Sequence, residues 1–182
     1  MKQKILVVVD MQYDFVYGSL GTDEAKAILQ KVIDKITNYD GLVVYTRDTH
    51  EDDYLDTLEG KKLPVVHCLE GTHGWEIITE VLNAGSFKRP QKDLSWIYDK
   101  PTFGCIDLAK DIQNKLFLEQ DDLEIELIGL CTDICVVTNA LLLRAYMPEV
   151  PITVDSSCCA GVTKETHDAA LKTMQMCQID VI

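Results

Sequence analysis

Short, continuous apolar runs alternate along this chain with longer stretches in which apolar residues recur at helical spacing. Residues 4–9 are the first run, residues 23–37 carry helical spacing, and residues 41–46 ("GLVVYT") are a second β-rich run. The pattern then lapses. It returns as a helix over 106–118, a strand over 123–130, a helix over 133–145, a strand over 151–154, a helix over 163–176 and a short closing strand. Strands that are apolar throughout are buried on both faces, and amphipathic helices between them supply the cover. The pattern predicts one α/β domain over residues 1–182, with a mostly parallel sheet and helices on both faces. No internal repeat, low-complexity tract or linker divides it. Between residues 48 and 100, His, Asp, Gly and Pro occur with little periodicity apart from a short helix over 75–83. Irregular segments of that length inside a compact domain are where sites are built.

Charge and cysteine usage narrow the partners. Acidic residues outnumber basic ones 30 to 17, for a formal net charge of −13, so nucleic acid and anionic membrane surfaces are repelled while small molecules or proteins remain. The N-terminus lacks the pattern of a leader peptide, and no run reaches the ~18 apolar residues of a membrane span, so a cytoplasmic location is expected. The seven cysteines are an odd number set within strand-like and helical segments. That is unlike a secreted disulfide framework, and reduced thiols are expected.

Three groups of residues carry candidate chemistry. Asp10 ends the first apolar run, where an aspartate either caps the next turn or faces a ligand at the carboxyl end of a strand. In "GLCTDICVVTNA", Cys135 falls in the first turn of a helix that directly follows a strand. Unpaired N–H groups and the helix dipole there favour a thiolate, and Thr132 and Asp133 supply capping groups. A cysteine at such a place is also a common packing residue. Asp48, His50 and His67 are the residue types of a first-row metal site, and D-x-H puts two donors on one side of an extended segment. The same three residues also suit a polar surface loop. Phe15 and Phe103 fit either an aromatic pocket wall or core.

Taken together and in order, "DMQYDF", "RDTH", "VVHCLEGTHGWE", "DKPTFG", "GLCTDICV" and "DSSCCAGVTKETHDAAL" resemble the isochorismatase-like cysteine hydrolases, and within them the nicotinamidase branch. The resemblance spans nearly the whole chain. It implies a catalytic trio of Asp10 as general base, Lys100 as the neighbouring cation and Cys135 as nucleophile. Lys100 is preferred to Lys88 and Lys92 because it alone falls within "DKPTFG". The N–H groups of Cys131 and Cys135 would hold the oxyanion, with a cis peptide at Leu130–Cys131. Asp48, His50 and His67, with Glu59 as an additional ligand, would bind a divalent metal, commonly zinc, which the ring nitrogen of nicotinamide coordinates. His73 and His167 match no metal position and read as a loop and a helix-face histidine. "PTFG" stands where many nicotinamidases have Tyr-Ser-Ala-Phe, so the pocket wall differs. The implied reaction is hydrolysis of the nicotinamide carboxamide to nicotinate and ammonia through a cysteine thioester. The alternatives are a metal-independent amidase acting on a carbamoyl or ureido compound and a non-catalytic binding member. The partner is a small-molecule amide, and assembly of like subunits is left open. Cys131 and Cys135 are spaced C-x-x-x-C rather than C-x-x-C, which argues against a redox pair.

Overall fold

The computed structural model describes residues 3–90, 94–116 and 123–182. Six strands form one sheet in the order β3-β2-β1-β4-β5-β6, and every neighbouring pair is parallel. They are β1 (Gln3–Val9), β2 (Leu42–Asp48), β3 (Ile97–Lys100), β4 (Leu123–Leu130), β5 (Ile152–Ala160) and β6 (Asp180–Val181). The helices are α1 (Tyr13–Val16), α2 (Asp23–Asn38), α3 (Leu58–Lys62), α4 (Thr79–Ala84), α5 (Ile106–Asp111), α6 (Val137–Tyr146) and α7 (Lys164–Met176). None of the described helices is long and apolar enough to cross a membrane.

The period-two alternation of β1 divides the core into two. Ile5, Val7 and Val9 pack with Leu108, Leu143 and Met174 from α5, α6 and α7, whereas Leu6 and Val8 face Ile28, Val32 and Ile36 of α2 and Val81 of α4. Ala25, Ile28, Val32 and Ile36 are the buried stripe of α2, and its first turn is capped by the Thr22 hydroxyl, which accepts from Ala25 N–H at 3.0 Å.

Several elements differ from the pattern's prediction. β3 was hidden because only four residues pair, and Asp99 and Lys100 are polar. The expected helix over 75–83 is a 3₁₀ turn (His73–Trp75) and then α4, because Ile77 between them is extended and bridges Gln12. The expected helix over 106–118 is α5 followed by a π turn (Ile112–Leu116), and its last two positions lie outside the described residues. β5 runs six residues past Val154: Leu127 pairs with Val154 but Gly129 with Cys159, so Asp155–Cys158 form a bulge whose polar residues ended the apolar signal. α6 is preceded by a π turn from Thr132 to Val136.

β1 has β2 on one side and β4 on the other, and the two connections depart in opposite directions. The crevice of a doubly wound sheet opens at such a switch point, at the carboxyl ends of the strands. Asp10 and the turn after β4 stand there. The close approach of β1 to β4 requires glycine at 129, where φ is +116° and a Cβ would collide with the Val9 carbonyl.

Candidate active site

Four strand ends bring the polar side chains together. Asp10 follows β1, Asp48 ends β2, Lys100 ends β3 and pairs in register with Asp48, and Cys135 lies in the turn after β4. Asp10 takes a left-handed conformation (φ +47°), which aspartate tolerates better than most residues. Its N–H donates to Thr46 O at 3.2 Å and its carbonyl accepts from Gln12 N–H at 2.8 Å, which fixes the bend. The carboxylate is fully buried. Its Oδ1 accepts from the Thr46 hydroxyl at 2.7 Å, and its Oδ2 lies 2.7 Å from Lys100 Nζ. Nζ also reaches Asp48 Oδ1 at 3.0 Å and Cys135 Sγ at 3.4 Å. An ammonium has three protons, and Lys100 has three acceptors for them.

Burial pushes the Asp10 carboxyl above its ordinary value against the pull of Lys100. Burial alone would lower Lys100, but Asp10, Cys135 and Asp48 hold it well above the usual range. The Cys135 thiol is pushed well up by burial and by the negative charge of Asp10, with Lys100 opposing. The helix start by itself favours a thiolate, whereas burial and the adjoining carboxylates push the other way. The Leu130–Cys131 peptide is cis. Asn139 braces the turn, donating from Nδ2 to the carbonyls of Cys135 (2.8 Å) and Phe103 (3.0 Å) and accepting from Cys105 N–H (2.8 Å).

Asp48 turns its other oxygen to a second cluster. One donor atom each from Asp48, His50, Glu59 and His67 lies within 4.8 Å of all the others. His50 Nε2 is 3.0 Å from Asp48 Oδ2 and 3.6 Å from Glu59 Oε1, and His67 Nε2 is 3.5 and 3.9 Å from the same oxygens. Ligands at ~2.1 Å from a tetrahedral ion stand ~3.4 Å apart, so the set fits a divalent metal. His67 Nδ1 lies 2.7 Å from Val65 O, which orients the ring and turns Nε2 toward the cluster. Burial favours the neutral form of Asp48, but contacts with His50, His67 and Lys100 keep it ionised well below the usual range. Burial and the charge of Asp48 push Glu59 up, and a cation between them would relieve both.

Between the two clusters lies a cavity of about 210 Å³. Phe15 and Phe103 both line it, together with Asp48, Glu59, His67, Cys131 and Cys135, and Leu20, Leu63, Ile134 and Val162 make most of the remaining wall apolar. Lys88 is elsewhere, donating to Tyr39 O at 2.6 Å, and Lys92 lies outside the described residues. His73 is on the surface beside Glu76, and His167 is on α7.

Sequence reasoning passed over two supports inside "DMQYDF". Gln12 is fully buried; its Nε2 donates to the carbonyls of Asp48 and Trp75, both at 2.8 Å, and its Oε1 accepts from Asp48 N–H at 2.8 Å. Asp14 Oδ2 accepts from Cys68 N–H at 2.8 Å, and Cys68 itself is left-handed (φ +47°), so Asp14 holds the bend that follows His67. An amide and a carboxylate three and one positions before the buried Phe15 were the available signal.

Comparisons with known proteins bear on the family and the fold. The Isochorismatase domain model matches residues 4–182. A Bacillus subtilis structure titled nicotinamidase PncA is 25% identical, with 100% of this chain and 99% of that one covered and a TM-score of 0.80. A Pyrococcus horikoshii pyrazinamidase in complex with zinc is 22% identical over 99% of this chain and 98% of that one, with a TM-score of 0.76. An N-carbamoylsarcosine amidase from Thermoplasma acidophilum is 25% identical over 98% and 95%, with a TM-score of 0.67.

Proposed function

The chain belongs to the isochorismatase family, and from that premise we propose that it hydrolyses the carboxamide of nicotinamide to nicotinate and ammonia through a thioester on Cys135. The observation that carries the reading is the second cluster. Four residues suited to hold a metal gather at one place, three of them (Asp48, Glu59 and His67) line a largely apolar cavity, and Asp48 is also bound by Lys100. A metal-independent amidase would have no use for them, although the 25% identity to the N-carbamoylsarcosine amidase equals that to the nicotinamidase.

In the reaction Asp10 accepts the Cys135 proton as sulfur attacks the carbonyl carbon, so the buried site never holds an extra free charge. Lys100 stays paired with Asp10 and Asp48 and attracts the developing thiolate. The N–H groups of Cys131 and Cys135 receive the oxyanion. Asp10 then returns its proton to the departing nitrogen, ammonia leaves, and the thioester remains. Water attacks that thioester with Asp10 again as base, releasing the carboxylate and restoring the thiol. Asp48, His50, Glu59 and His67 would hold a divalent ion, zinc being suited to this donor set, and the bound ion supplies a Lewis acid for the pyridine nitrogen of the substrate. Phe15 and Phe103 flank the flat ring.

The test is ammonia release from nicotinamide, benzamide and N-carbamoylsarcosine, before and after chelation. Nicotinamide should be hydrolysed, with activity lost on chelation and restored by zinc. Benzamide, lacking the ring nitrogen, should be a far poorer substrate. Undiminished hydrolysis by metal-free protein, or equal use of benzamide, would exclude the metal-anchored pocket.

A further inference from the structure

The residues between Cys131 and Cys135 are held from outside the turn they form. Thr132 is fully buried, and its hydroxyl lies 2.8 Å from His167 Nδ1. Next to it the Asp133 carboxylate accepts the Val162 N–H with both oxygens, at 3.2 and 3.1 Å. Both tethers reach to α7 and the loop before it, and that region is itself stiff. Thr163 and Thr166 cap the helix reciprocally, and Gly161 lies so close to His167 that a Cβ there would stand 2.9 Å from the histidine Cβ and 3.0 Å from its N. His167 does not line the cavity, and neither its ring nor α7 contributes to the Asp10–Lys100–Cys135 contacts. Asp10 and Lys100 are fixed instead by Thr46, Gln12 and the β2–β3 register. The supports of the thiol's base and of the oxyanion turn are therefore separate.

We propose that His167 is a positioning residue: through Thr132 it fixes the turn that presents the Cys131 and Cys135 N–H groups, and it sets how well the site holds an oxyanion rather than how readily the thiol is deprotonated. An oxyanion hole works by being aimed before charge develops, so a small drift of the turn lowers the rate of acyl transfer while leaving substrate binding in place. The inference rests on the thioester reading only in requiring that Cys135 attack a carbonyl, whichever amide supplies it.

The experiment compares two reactions of the same sulfur. Amide hydrolysis passes through an oxyanion, whereas alkylation of Cys135 by iodoacetamide displaces iodide from a saturated carbon and does not. Kinetics are measured on whichever amide the wild type turns over fastest. His167→Ala should lower kcat about tenfold with KM changed by less than about twofold, and the alkylation rate should be unchanged. His167→Asn, which can put an amide nitrogen where Nδ1 was, should recover kcat to within about threefold of wild type. Thr132→Val should reproduce the loss, and the double variant should lose no more than either single one. If His167→Ala fails to fold, Thr132→Val, which removes only the hydroxyl, is read the same way. An unchanged kcat, a parallel fall in kcat and alkylation, or additive losses in the double variant would overturn the proposal. Failure on nicotinamide with turnover of another amide removes the substrate reading alone. A wild type that hydrolyses no amide removes both.

Discussion

Two lysines in this protein each stand between two carboxylates and near a cysteine. Lys100 lies 2.7 Å from Asp10, 3.0 Å from Asp48 and 3.4 Å from Cys135. Lys35, on α2, lies 2.5 Å from Glu126 and 3.0 Å from Asp155, whose partner Ser157 has its hydroxyl 3.8 Å from Cys158 Sγ. The difference is depth and address. The Lys100 and Asp10 side chains are 1% and 0% exposed at the switch point of the sheet, while those of Lys35 and Asp155 are 25% and 13% exposed beside the bulge of β5. Burial therefore wins at Asp10 and raises it. At Asp155 burial also acts upward, but hydrogen bonds from Ser157 and the charge of Lys35 prevail and lower it. Similar groups yield a carboxyl held toward its protonated form in one place and an ion pair pinning α2 to β4 and β5 in the other.

The widest separation should come from the two thiols. Cys135→Ala should reduce amide hydrolysis by at least about 10³-fold, while Cys158→Ala should stay within about twofold, both read as ammonia release with melting temperatures as a folding control. Equal losses would erase the distinction. Between the carboxylates, Asp10→Asn keeps the shape but not the base and should slow turnover about 10²–10⁴-fold and slow alkylation of Cys135, whereas Asp155→Asn should leave both rates alone. Denaturant titration compares the lysines. Lys100→Met strands two buried carboxylates and should cost about 3–5 kcal/mol. Lys35→Met, nearer to solvent, should cost about 1 kcal/mol.

The smallest effect is in pH. Because the folded pKa of Asp155 is below its ordinary 3.8, its ionised form favours the folded state, and the contribution is complete above that value and lost as pH falls through the folded pKa. Wild type should thus exceed Asp155→Asn by about 0.5–1 kcal/mol near neutrality, with the gap closing in acid. A gap that grows on acidification would reverse the sign assigned to Asp155.

Much of the first cluster was legible because its members sit at the ends of strands or within segments of recognisable order. Asp10 closes a strand that is apolar on both faces, and Cys135 follows another. Lys100 was found only through "DKPTFG", since β3 is too short and polar to announce itself. That Asp48 serves both clusters could not be read from spacing, because its two oxygens point to partners 52 and 2 residues away. His167 reads in the sequence only as a helix-face histidine for a similar reason: its partner Thr132 is 35 residues distant, and helical periodicity ranks a polar residue by face and not by what meets it across a loop. The bulge of β5 concealed half a strand behind Asp155, Ser156 and Ser157.

The all-parallel order of the sheet also decides when during folding the chain acquires its chemistry. None of the described strands can zip to its neighbour through a hairpin, since each parallel pairing needs a crossover. β1 meets β2 early, with Ile5 opposite Leu42, but its other edge finds a partner only when Gln3 lies opposite Leu123. While the chain is being synthesised, that edge waits through the whole middle of the sequence, apolar over residues 5–9 and open to wrong partners. The contacts that join Asp10 to Cys135 belong to this late, long-range pairing, so reactivity of the thiol should appear last and report completed assembly, after helix signals have already matured.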